Sequence, residues 1–163
     1  MAGVKTQVIV IGSGPALDSL KALAGPTIDF VGRISDEEVE RYVSRSRALI
    51  FPGEEDFGMA PLEVAAAGRP TIAYRAGGAT ETIIEGETGT FFAEQTTESL
   101  MDAIGYFERQ QWFPSVIRKH AEGFRTEVFR DRFVTFLRRI GAPIDGSHAS
   151  RHSVAVISRK YGT

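Results

Sequence analysis

Two glutamates, Glu55 and Glu63, stand eight positions apart in FPGEEDFGMAPLEVAAAGRP, residues 51–70. Ahead of them Ala48 to Phe51 reads as a strand, which runs into a Pro-Gly break and the acids Glu54, Glu55 and Asp56. A helix is expected from Leu62 to Ala67, closed by Gly68. A strand–loop–helix corner of this kind aims backbone N–H groups and the positive end of the helix at one spot, which suits an anion. Gly58, lacking a Cβ, lets a ligand approach the backbone closely. Taken without their surroundings, the two glutamates read equally well as a solvated loop acid and a helix-surface acid. No histidine or second acidic cluster is spaced to complete a shell with the three adjacent acids, so no metal is expected.

A second glycine-rich corner, Gly12-Ser13-Gly14-Pro15-Ala16, follows the β-branched run Gln7 to Ile11. It is similar to the G-x-G-x-x-G loop of flavin- and NAD-binding domains. Leu17, however, occupies the third glycine position, where its side chain obstructs the close helix–strand contact that glycine permits. A third corner, Gly32-Arg33-Ile34, ends the next strand. The histidines His120, His148 and His152 lie outside every motif and read as non-catalytic. Phe124, Phe129, Phe133 and Phe136 recur at helical steps and read as core rather than as cofactor contacts.

These corners need strands and helices to hold them, and the chain supplies both in alternation. Strands are expected at Gln7–Ile11, Thr27–Val31, Ala48–Phe51, Pro70–Tyr74 and Thr90–Phe92. Between and after them, helices are expected at Ala16–Ala24, Ser35–Ser46, Leu62–Ala67, Ala79–Glu85, Thr97–Arg109, Pro114–His120 and Glu127–Ile140. Leu17, Leu20, Leu23 and Ala24 share one face of the first helix, and Leu100, Ile104 and Phe107 point inward from the fifth. Ser35 and Glu38 have the spacing of a capping box. Strands alternating with helices imply a doubly wound, Rossmann-like parallel sheet, whose ligands sit at the carboxyl ends of the strands. Every glycine-rich corner falls at such an end.

With 163 residues, 42% of them hydrophobic, the chain can bury a core. Its net charge of −2 argues against nucleic-acid binding, and the absence of cysteine excludes disulfides and thiolate metal sites. No apolar run reaches the ~20 residues that a spanning helix needs, and no signal peptide opens the chain. A cytoplasmic location is compatible with this composition and is the one expected.

At the central stretch the chain resembles the C-terminal domain of retaining GT-B glycosyltransferases of the group 1 family, which use nucleotide-activated sugars. The residues that carry the resemblance are Glu55-x7-Glu63 with Phe57-Gly58 between, Gly68 and Pro70, Ala76-Gly77-Gly78-x-x-Glu81, and Glu85-Gly86-x-Thr88-Gly89. The wording FPGEEDFG, AAGRP, IAY and FFAEQTTESL is similar to a subgroup that transfers mannose from GDP-mannose. The resemblance implies that Glu63 binds the donor ribose and that Glu55, the catalytic-site acid, holds the hydroxyls of the transferred sugar. It implies that backbone groups of Phe57, Gly58, Met59 and Ala60 meet the diphosphate and sugar. Gly12 and Gly14 would flank the nucleotide, and Arg33 and Ile34 would offer backbone groups to the base. The nucleotide diphosphate-sugar is the substrate, and no cofactor is implied.

In that family a strand–helix unit precedes the strand matched here at residues 7–11, and it carries an Arg and a Lys that neutralise the diphosphate. Only six residues precede the strand here, so the middle of the sheet is expected to be interrupted. The expected organisation is a donor domain over residues 4–141, a linker over 142–153 and a tail over 154–163. The apolar run Val154 to Ile157, followed by Arg159 and Lys160, is expected to fill the interruption, within the chain or by strand exchange in a dimer. Arg159 or Lys160 would then serve the diphosphate. The acceptor would bind an N-terminal domain, without which the chain is expected to be inactive. The alternatives are a sugar-nucleotide epimerase-like domain, a flavin- or NAD-binding Rossmann domain, and an incomplete, non-catalytic fragment.

Overall fold

The computed structural model describes residues 7–142. Five strands, β1 (Val8–Ile11), β2 (Ile28–Gly32), β3 (Leu49–Phe51), β4 (Thr71–Tyr74) and β5 (Gly89–Phe92), alternate with helices. The helices are α1 (Leu17–Leu23), α2 (Asp36–Arg45), α3 (Met59–Ala66), α4 (Ala79–Thr82), α5 (Thr97–Arg109), α6 (Pro114–Glu122) and α7 (Thr126–Arg139). The chain divides after Phe124 into two compact units, with β1 to α6 in the first and α7 in the second.

All strand pairs are parallel, in two groups: β1 with β2, and β3–β4–β5 with β4 central. Among the described residues no ladder joins the groups. In the three-stranded group successive side chains alternate between faces, and both faces are covered. Phe51, Ala73 and partly buried Phe91 lie in register and form one core with Ala79 and Ile83. Ile72 and Phe92 form the opposite core with Ala103 and Phe107 of α5, flanked by Leu100 and Ile104. Trp112 stacks on Phe107 with ring centroids 5.3 Å apart, and its indole N–H donates to the Phe107 carbonyl at 3.1 Å.

The two-stranded group is built from equally apolar residues but buries them less. Val8 pairs with Ile28 and Val10 with Phe30, and these four side chains line an open cleft of about 270 Å³ with Leu20, Leu23 and Ala24 of α1. The expected apolar face of α1 exists but is not buried: Leu20 is 48% and Leu23 84% exposed. Two strands make too narrow a surface to cover a helix face.

Local signals set several helix ends. The Ser35 hydroxyl accepts the Glu38 N–H at 3.3 Å, while the Glu38 carboxylate accepts the Ser35 N–H at 3.0 Å, completing the capping box. The main-chain hydrogen bond to Ser35 is the chief reason the Glu38 carboxyl lies below its ordinary pKa. Helix α3 ends in a Schellman pair, Arg69 N–H to Val64 C=O at 3.1 Å and Gly68 N–H to Ala65 C=O at 2.8 Å.

Three expectations are corrected. Helix α3 starts at Met59 rather than Leu62, because Pro61 sits in the first turn, where its missing N–H has no intrahelical role. Helix α4 stops at Thr82, short of Glu85, because the Thr88 hydroxyl and carbonyl-bound amide fold residues 84–88 into a turn. The series Phe129, Phe133 and Phe136 on α7 is exposed at 65%, 48% and 46%, not core. Within that helix Phe129 and Phe133 stack on each other, 5.8 Å apart. The linker and tail expectations, including Val154–Ile157, Arg159 and Lys160, lie outside the described residues.

Candidate functional site

The central corner forms where β3 hands over to α3. Phe51 is buried at the end of β3, and the chain then surfaces from Pro52 to Phe57. Gly58 is the N-cap of α3 at φ +75°, a left-handed conformation that an L side chain rarely adopts. That kink turns the chain abruptly into the helix and leaves its first amides open. The N–H groups of Phe57, Gly58, Met59 and Ala60 donate to no acceptor among the described residues. Since α3 begins at Met59, they belong to a helix N-terminus, where the partial positive charge of the helix concentrates.

The acids sit at the same corner. Glu55 precedes the cap, while Glu63 is on the second turn of α3; both are exposed. No hydrogen bond or ion pair engages the carboxylates of Glu54, Glu55, Asp56 or Glu63 among the described residues. Each therefore keeps two oxygens for a ligand donor. No group of three metal-ligating side chains is found among the described residues.

Two other loops hold this corner from behind. The Gly78 N–H donates to the Glu55 carbonyl at 2.7 Å, and the Gln95 side-chain amide donates to the Pro52 carbonyl at 2.8 Å. The carbonyls of Pro52 and Glu55 are thus turned onto protein, while the amides of 57–60 and the loop carboxylates have no partner among the described residues. Both contacts escaped the sequence reading. Ala76-Gly77-Gly78 and the Gln95 stretch stood out as motifs, but nothing local says which loop each one touches.

The β1–β2 group brings together a separate set. The Gly12 N–H donates to the Gly32 carbonyl at 2.7 Å, and the Arg33 Nε–H donates to the Ser13 hydroxyl at 3.1 Å. The loops after β1 and β2 are therefore joined at the carboxyl ends of their strands, with Gly14 and Arg33 exposed and Ile34 half-buried beside them. Ser13, not singled out beforehand, fixes the Arg33 guanidinium. Among the described residues no hydrogen bond links this set to the corner at Glu55. His120 is structural: its Nε2 lies 2.8 Å from the Thr82 carbonyl, and its ring meets Phe124 edge-on.

Known proteins resemble this chain in sequence and fold. The family profile described as "Glycosyl transferases group 1" matches residues 2–124. The chain is 35% identical over 137 residues to D-rhamnosyltransferase WbpZ of Pseudomonas aeruginosa, covering 79% of this chain and 36% of that protein. It is 32% identical over 131 residues to the GDP-mannose-dependent alpha-(1-6)-phosphatidylinositol dimannoside mannosyltransferase of Mycobacterium tuberculosis, covering 78% of this chain and 33% of that one. It is similar in structure to sucrose-phosphate synthase from Thermosynechococcus elongatus, with a TM-score of 0.65 and 25% identity over 83% of this chain and 38% of the other. The chain thus spans about a third of the length of these curated relatives.

Proposed function

Because the chain belongs to the group 1 glycosyl transferases, we propose that it is the donor-binding half of a retaining enzyme that moves a hexose from a nucleotide diphosphate-sugar. The observation that carries this reading is the corner at Phe57–Ala60, where unpartnered amides at a helix N-terminus adjoin unpartnered carboxylates. During transfer the bond from the anomeric carbon to the diphosphate oxygen breaks, and a bond from that carbon to an acceptor oxygen forms. Negative charge grows on the departing diphosphate, and pre-aimed amides stabilise it without reorganising.

In this reading Glu63 accepts from the ribose hydroxyls, and Glu55 holds the hydroxyls of the sugar being transferred. The joined loops at Gly12, Gly14, Arg33 and Ile34 flank the nucleoside. GDP-mannose is the proposed donor, supported by the subgroup wording and by the GDP-mannose dependence in the name of the mycobacterial relative. The same name supports a saccharide or lipid-linked acceptor, with the full enzyme at a membrane surface. The acceptor would be presented by a separate N-terminal domain, because transfer needs its nucleophile within reach of the anomeric carbon. No helix among the described residues is long and apolar enough to cross a membrane.

Calorimetric titration of the purified chain with GDP, UDP, GDP-mannose and UDP-glucose tests the reading. Saturable binding of GDP and GDP-mannose, with UDP weaker, is expected. No heat with any of the four, or a bound flavin in the purified protein, overturns it.

A further inference from the structure

The loop that bears Glu55 is locked by a backbone-on-backbone contact with no side chain between. Besides the bond from the Gly78 N–H to the Glu55 carbonyl, the backbones of the two loops pack directly on each other. A Cβ at Gly78 would overlap the backbone of Phe57. A Cβ at Gly77 would overlap the Glu55 carbonyl oxygen and lie 3.2 Å from Glu54 Cγ. The fit is reciprocal, since a Cβ at Gly58 would meet the Ala79 nitrogen at 3.6 Å and the Gly78 carbon at 3.8 Å.

The two glycines are needed for different reasons. Gly77 has φ +53°, so a side chain there is strained as well as crowded. Gly78 has φ −62° and ψ −20°, which any residue adopts, so at that position only the space demands glycine. The corner is itself tied down. The buried Thr82 hydroxyl donates to the Gly78 carbonyl at 3.0 Å, and the Thr80 hydroxyl donates to the Gly77 carbonyl at 2.7 Å. His120 of α6 then meets the Thr82 carbonyl. A chain of polar contacts therefore runs from α6 through α4 to the carbonyl of Glu55.

We propose that the Gly77–Gly78 corner is a positioning element that sets Glu55 and the Phe57–Ala60 amides against the diphosphate and sugar of the donor, and not against its nucleoside. The claim rests on the donor-binding reading above. It predicts that displacing the corner separates two parts of one ligand. With Gly78 enlarged, the loop from Glu55 to Gly58 must shift, while Glu63, one turn further along α3, keeps its hold on the ribose.

The test uses Gly78→Ala, with Thr82→Val as a milder variant that removes the buried hydroxyl at near-constant shape. Each is titrated with GDP-mannose and with GMP, which lacks the distal phosphate and sugar. Gly78→Ala is expected to weaken GDP-mannose by about tenfold or more, the scale of losing one or two charged hydrogen bonds, and GMP by less than about threefold. Thr82→Val should show the same split at smaller size. Equal weakening of both ligands overturns the proposal, because a merely structural role lowers all binding alike. Hydrogen exchange on the unliganded proteins decides independently of the donor reading: the residue-78 amide, which donates to the Glu55 carbonyl, should exchange about tenfold faster in the variants, with 49–51 unchanged. Unchanged exchange of the residue-78 amide overturns the proposal whatever the ligands do. If the wild-type chain binds neither ligand, the donor reading fails while the exchange result still decides whether the corner positions the loop. If Gly78→Ala does not fold, Thr82→Val carries both measurements.

Discussion

The β1–β2 group and the β3–β4–β5 group obey the same grammar of apolar strand, glycine corner and helix, yet only the second makes a core. Every residue from Gln7 to Ile50 keeps some exposure, whereas Ile72, Ala73 and Phe92 are nearly fully buried. The apolar content of the strands does not explain this: Val-Ile-Val-Ile of β1 is no less hydrophobic than Thr-Ile-Ala-Tyr of β4. The cause is the number of neighbours. Strand β4 is flanked on both edges and covered on both faces by α3, α4 and α5, while among the described residues β1 has one partner strand and one short helix. Burial belongs to the assembly of layers, not to the strand. The corner at Glu55 and Glu63 is mounted on the well-packed group; the corner at Gly12 and Arg33 is mounted on the loosely packed one.

Truncation of the core should break this symmetry most strongly. Phe107→Ala removes a buried ring that packs on Ile72 and Phe92 and carries Trp112, and should destabilise by about 3–5 kcal/mol. Phe30→Ala, at a half-buried position of β2, should lose no more than about 1.5 kcal/mol, because most of that surface is already hydrated. Urea denaturation monitors both. Comparable losses would show that the first group is packed as tightly as the second.

Ligand binding extends the comparison. Glu63→Ala should weaken GDP and GDP-mannose alike, by about 1.5–3 kcal/mol, as expected for a charged hydrogen bond to the ribose. Glu55→Ala should weaken GDP-mannose and spare GDP. Arg33→Ala, on the looser group, should alter either affinity by less than about threefold, since its proposed contribution is through backbone. Calorimetry with the two ligands separates these roles, and equal losses at Glu55 and Glu63 for both ligands would sink the assignment.

A smaller effect is expected at the start of α2, where the first group depends on a local device rather than on burial. Ser35→Ala removes the hydroxyl half of the capping box and should cost about 1 kcal/mol. The companion effect is a pH dependence. The Glu38 carboxyl is lowered in the folded chain, chiefly by the main-chain hydrogen bond to Ser35. Its contribution is therefore present above its unfolded value and fades as pH falls through the folded one. Thermal melts from pH 7 to pH 3 should show this loss in the wild type. It should persist but shrink in Ser35→Ala, where the hydroxyl bond is gone and the main-chain bond remains.

The weakest effect should come from a surface tie between the groups. Arg47, just after α2, meets Glu108 of α5 at 2.6 Å, with both side chains substantially exposed. Glu108 is also why the guanidinium of Arg47 holds its proton more tightly than usual. Arg47→Ala should cost less than about 1 kcal/mol and be masked by 1 M salt. A larger, salt-resistant loss would mean that polar ties, and not packing, hold the two groups in one unit.

The amino-acid sequence by itself determined what short-range chemistry governs. Hydrophobic runs located all five strands to within a residue or so, Ser35 and Glu38 specified the start of α2, and Gly68 specified the end of α3. The glycine corners and the Glu55–Glu63 spacing marked the site because their backbone demands are local to a few residues. Tertiary structure alone decided the rest, since the deciding partners are distant in sequence. It left the apolar face of α1 exposed, although its periodicity promised burial, because a helix face is buried only if another layer covers it. It also brought Gly78 onto the carbonyl of Glu55 and Gln95 onto that of Pro52, contacts across 23 and 43 residues. No residue type or spacing within one loop encodes such a meeting; the parallel sheet creates it by bringing the carboxyl ends of β3, β4 and β5 side by side.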